Sequence, residues 1–70
     1  MIEDKFGEKL NKGDTVAFLD GKLMVIAKVS FIKGYSIQVT DEQDTSSTYN
    51  MKSRSVVKLS GDWKIKAGEE

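Results

Sequence analysis

Lys12–Val29 reads as a strand, an Asp20-Gly21 turn and a returning strand. Asp-Gly suits a type I′ hairpin, in which both central residues take positive φ and the turn's twist matches that of its strands. A hairpin of this kind points to a small all-β domain. Thr15–Leu19 supplies the first strand, with Val16 and Phe18 on one face. The second strand runs from Lys22 to about Ile32. By period two, Leu23, Val25, Ala27, Val29 and Phe31 share a face, with Met24 and Ile26 on the other. So long a strand in a short chain is expected to bend between two sheets.

The same alternation continues downstream. Lys33-Gly34 marks a turn, and Tyr35–Thr40 places Tyr35, Ile37 and Val39 inward, with Ser36, Gln38 and Thr40 outward. Residues 41–47 carry no apolar side chain and read as a solvated loop. Thr48–Lys52 resumes the alternation through Tyr49 and Met51. Ser53–Leu59 suggests a short 3₁₀ turn leading into a strand, and Trp63–Lys66 alternates once more. Upstream, Ile2, Phe6 and Leu10 are spaced as one stripe of a short helix, though Gly7 weakens that reading. The alternative is an irregular lead-in that packs Phe6 over the end of the domain. The expected organisation is a lead-in over residues 1–11, a barrel of about five or six short strands over 12–66, and a polar tail over 67–70.

The spacing over residues 12–59 resembles an SH3-like or KOW-type barrel. The resemblance rests on Gly13-Asp14-x-Val16 opening the first strand, on the long second strand, and on Ser53-x-Ser55-Val56-Val57-x-Leu59. That last segment is similar to the 3₁₀ turn and final strand of SH3-like folds. Peptide-binding SH3 domains carry an aromatic-rich first strand and a paired Trp, which this chain lacks, so binding of proline-rich peptides is not implied. The chain also resembles, in style, short accessory proteins of tailed bacteriophages. That likeness is one of style and carries no function. Elimination, small size and neutral charge point instead to a small inhibitor or adaptor acting on a larger machine, in the host cytoplasm if the chain is phage-encoded.

Composition narrows the chemistry. Seventy residues make one domain, and none is Cys or His. Disulfides, thiolate nucleophiles, histidine general bases and the commonest transition-metal ligand are therefore all missing. Serines beside lysines, such as Ser53 or Ser55 with Lys52 or Lys58, are the only nucleophile–base pairing to consider, and they read as surface neighbours. Asp41, Glu42 and Asp44 lack the spacing of an EF-hand calcium loop. No enzyme, cofactor or metal is expected. The start of the chain shows no signal-peptide pattern, and no apolar run approaches the roughly 20 residues of a membrane span. With no cysteine, a reducing cytoplasm is the expected location.

Three roles remain. The first is a protein-interaction module, with Trp63, Arg54, Met24 and Ile26 as candidate contacts. The second is a nucleic-acid-binding barrel. Eleven basic residues balance eleven acidic ones, which argues against general phosphate binding, yet the basic ones are unevenly spread. Residues 22–40 hold lysines and no acid, and 52–66 hold five basic residues against Asp62. Lys28, Lys33, Lys52, Arg54 and Lys58 would then form one face, with Tyr35 and Tyr49 as stacking rings. The third is a structural subunit stabilised within a larger complex.

Overall fold

A computed structural model describes residues 2–59. It contains five strands: β1 (Thr15–Asp20), β2 (Leu23–Lys33), β3 (Ser36–Asp41), β4 (Thr48–Lys52) and β5 (Val57–Lys58). A single 3₁₀ turn, Ser53–Ser55, links β4 to β5. The strands form one antiparallel sheet in the order β4-β3-β2-β1-β5. The all-β expectation therefore holds, and among the described residues the sheet is not closed into a barrel. Among the described residues β4 pairs only with β3, and the two-residue β5 pairs only with β1, so neither edge meets the other. Trp63–Lys66, a possible closing strand, and the 67–70 tail lie outside the described residues.

Both two-residue hairpin turns place their single positive φ on glycine. Asp20 pairs with Leu23, so the first loop is Gly21-Lys22, one residue later than the expected Asp20-Gly21. Gly21 has φ 66°, and among the described residues no non-glycine residue takes positive φ. Glycine at the first central position is the type II′ arrangement, which spares Asp20 the left-handed conformation a type I′ turn would demand. The second hairpin repeats it: Lys33 pairs with Ser36 around Gly34-Tyr35, with Gly34 at φ 61°. Tyr35 is thus a turn residue, 76% exposed, rather than the first inward residue of β3.

The inward positions follow the alternation. Val16, Phe18, Ala27, Val29, Ile37, Val39 and Val56 are buried, and Val25, Ile32, Tyr49 and Met51 pack against them. Phe18 and Tyr49 meet edge to face with ring centroids 5.0 Å apart. Two strands separate β1 from β4, a span of about 14 Å in a flat sheet. The open sheet therefore curls strongly enough to bring its first and fourth strands together.

Phe31 breaks the alternation. Val29 pairs with Val39, but Phe31 pairs with Gln38 and Ile32 with Ile37, leaving Ser30 as the extra residue of a β-bulge. The Ser30 hydroxyl donates to the Gln38 carbonyl at 3.0 Å. Beyond this point inward and outward exchange: Ile32 turns to the core, and Phe31, expected inside, is 55% exposed.

The lead-in is irregular, not helical. Glu3 and Lys9 form an antiparallel bridge, and the Leu10 amide donates to the Ile2 carbonyl at 3.0 Å. Ile2 and Leu10 are buried, while Phe6, expected to pack over the domain, is exposed.

Candidate functional site

The apolar surface gathers on the free end of the β1–β2 hairpin. Leu19 stands opposite Met24, and Ala17 opposite Ile26, all on the outer face. Leu19 is 67% and Met24 66% exposed, Ile26 is half-buried and Ala17 is buried. Leu23, expected in the core, lies beyond it at the hairpin tip and is exposed. On β2, pairing with β3 begins only at Ala27; on β1, pairing with β5 reaches only Val16 and Ala17. The Ile26 carbonyl still accepts the Glu42 amide at 3.1 Å; beyond it, the tip is a two-stranded ribbon whose outer backbone edges have no ladder partner among the described residues. A cleft beside it is lined by Leu23–Ile26, Asp41 and Gln43.

Arg54 is elsewhere. Its guanidinium pairs with the Glu3 carboxylate at 3.3 Å, both exposed, beside a cleft formed by Ile2, Tyr35, Lys52 and Ser53. The structure brings Met24 and Ile26 together but does not add Arg54 to them, and Trp63 lies outside the described residues.

The basic candidates also divide. Strand pairing sets three outer rows across β2, β3 and β4: Lys33–Ser36–Lys52, Phe31–Gln38–Asn50 and Lys28–Thr40–Thr48. No acidic residue stands in these rows. Lys28, however, shares a cleft with Asp41 and Glu42. Lys58 sits apart, its ammonium held by the Lys9 carbonyl at 3.0 Å and the Asp14 carboxylate at 3.4 Å. Tyr35 is open to solvent near Lys52, whereas Tyr49 belongs to the inner face. Partial burial raises the Tyr49 hydroxyl above its usual value, with the charges of Asp20, Asp41 and Asp44 adding to the effect.

The acidic loop is closed on itself. The Asp44 carboxylate accepts from the Ser46 hydroxyl at 2.6 Å, the Ser47 hydroxyl at 2.8 Å and the Ser46 amide at 3.2 Å. These bonds, the Ser46 hydroxyl first, hold its carboxyl below the usual range.

Asp4 is the residue that sequence reading missed. It is fully buried. One carboxylate oxygen accepts the Phe6 and Glu8 amides, each at 2.8 Å, and the other accepts the Lys58 amide at 2.7 Å. Burial alone pushes its carboxyl up; the amides of Lys58, Glu8, Phe6 and Gly7 together outweigh that and bring it below its ordinary value. Its chemistry is structural: it ties the lead-in to β5.

Against known protein families, curated proteins and solved structures, the chain matches none.

Proposed function

We propose that this chain is a non-enzymatic protein-interaction module of SH3-like fold, acting as a small inhibitor or adaptor of a larger host protein or complex in the cytoplasm. Three features support the fold reading: the 3₁₀ turn between β4 and β5, the placement of β5 on β1, and the long bulged β2. The curl that brings Phe18 onto Tyr49 adds to them. Fold alone does not carry function. The observation that carries the functional reading is the hairpin end, where Leu19, Leu23 and Met24 stand in water on a ribbon with unpaired edges. Such a patch is stabilised when a partner covers it, and the free edges offer backbone groups to a partner strand.

The test is capture of a partner from nuclease-treated lysate by the wild-type chain and by Leu19→Asp/Met24→Asp. Both side chains are largely exposed, so the variant is expected to melt near wild type while losing the partner. Arg54→Ala and Trp63→Ala, run beside it, measure whether the binding surface extends to those residues. A partner retained in full by the double variant would sink the hairpin reading.

A further inference from the structure

We propose that the outer face of β2–β4 is a stacking platform for single-stranded nucleic acid, with Phe31 and Tyr35 as ring surfaces and Lys33 and Lys52 as phosphate contacts. This surface is separate from the apolar hairpin end and stands on different observations.

The bulge at Ser30 is the first of them. It turns Phe31 outward on the open face of the sheet, between the Lys33 row and the Lys28 row. A phenylalanine ring in water is unfavourable unless something covers it, and Phe31 stays more than half exposed. The flanking chemistry comes second. Lys33 and Lys52 lie in one row on either side of Ser36, about 10 Å apart at the usual strand spacing. Gln38 and Asn50 continue the Phe31 row and offer amides that can donate and accept. Tyr35 stands at the adjacent turn, in the same cleft as Lys52.

The third is the sidedness of charge. The chain is neutral overall, yet the three outer rows hold only basic and neutral side chains. Glu3, Asp41 and Glu42 border the face from outside these rows, Glu3 against Arg54, Glu42 against Thr15, and Asp41 with Glu42 in the cleft beside Lys28. Lysines alone would suit any polyanion. Exposed rings between them select a ligand with both phosphates and planar bases, because bases stack on aromatic faces with little regard to sequence. An acidic peptide would satisfy the lysines and leave the rings in water.

The experiment is fluorescence anisotropy of a labelled oligothymidylate of about ten nucleotides, within the ~4–16-nucleotide range of small β folds. The full-length chain is titrated at several salt concentrations. Saturable binding is expected, with a log–log salt slope of about −1.4 for two phosphate contacts on a single strand. Phe31→Ala should weaken binding about 5- to 150-fold, the range that one stacked base supplies. Tyr35→Ala should weaken it as well. Lys33→Glu should weaken binding and flatten the slope, whereas Lys22→Glu, the same charge reversal in the other hairpin turn, should not. Melting curves on each variant separate lost binding from lost folding. Three results overturn the proposal: no saturable binding at low salt, equal binding by Phe31→Ala, or equally effective competition by polyglutamate.

Discussion

The two edge strands of the sheet are held by different physics. β4 is five residues long and pairs with β3 along its whole length, while Tyr49 and Met51 pack inward. Its neighbour in sequence is its neighbour in space. β5 has two residues and two ladder pairs to β1, yet it closes the other edge. Its remaining support comes from the distant N-terminus. The Lys58 amide donates to Asp4, the Lys5 amide donates to the Val56 carbonyl at 2.8 Å, and the Lys58 ammonium reaches Lys9 and Asp14. A strand too short to hold itself by pairing is held by polar contacts that reach far back along the sequence, as much as 54 residues for Asp4 to Lys58. The β4 edge rests on local pairing; the β5 edge rests on long-range contacts, the buried Asp4 carboxylate foremost.

Asp4→Ala is the strongest way to break that contrast. It leaves three amide donors without their acceptor, for a cost of about 3 kcal/mol or more. Total stability at this length is roughly 3.5–10 kcal/mol, so the melting transition should fall steeply. Hydrogen exchange should show the damage on one side: the amides of Lys5, Glu8 and Lys58 speed up, while those of the β3–β4 ladder keep their relative protection. Asp4→Asn retains one acceptor oxygen and should lose less. The same carboxylate sets an acid limit. Its folded pKa lies below the unfolded value of about 3.9, so its contribution is present above that pH and is lost as pH falls through the folded value. Asp4→Asn should flatten the acid side of a plot of stability against pH. Uniform exchange across both edges, or an unchanged acid limit, would remove Asp4 from this role.

Gly34→Ala probes the local half of the comparison. Gly34 holds φ 61° in the turn before β3, and a Cβ there would meet nothing within 4 Å. The cost is therefore backbone strain alone, about 1–3 kcal/mol. It should loosen the β2–β3 hairpin and leave the amides around Asp4 protected relative to the rest. A chemical-denaturation midpoint equal to wild type would mean that the turn relaxes to another geometry without loss.

What the sequence made legible divides along the same line. Val16, Phe18, Val25, Ala27, Val29, Ile37, Val39, Tyr49 and Met51 all lie on the face that alternation assigns them, because period two is local information. The reading failed where one residue changed the phase. Ser30 inserts into β2 with a hydroxyl that satisfies the bulge, and nothing in the apolar pattern marks it, so Phe31 was assigned inward. Tyr35 failed for a related reason: the glycine took the first turn position rather than the second. For the candidate surfaces, Met24 and Ile26 were legible as an outer pair, but their company with Leu19 depends on register. Phe31 was invisible as a surface residue without the bulge. Asp4 did leave a trace. Asp4-Lys5-Phe6-Gly7 has aspartate first and glycine fourth, a β-turn signature, and the Gly7 amide does donate to the Asp4 carbonyl at 3.2 Å. The turn was readable; the long-range bond to Lys58 was not.

Arg54→Ala gives the smallest expected effect and sharpens the comparison most narrowly. Glu3 and Asp4 are adjacent carboxylates in the same lead-in, and both reach toward the C-terminal part of the described chain. Asp4 is buried and accepts fixed backbone amides; Glu3 is exposed and meets a flexible guanidinium at 3.3 Å. Water and salt screen the second contact, and ordering two long side chains offsets much of its attraction, leaving about 0.5 kcal/mol or less. Arg54→Ala should therefore melt almost with wild type, and what difference exists should vanish in high salt. A loss comparable to that of Asp4→Ala would show that the lead-in is held by the ion pair, not by the amides around Asp4. With stability unchanged, any effect of Arg54→Ala on partner capture reads directly as contact with the partner.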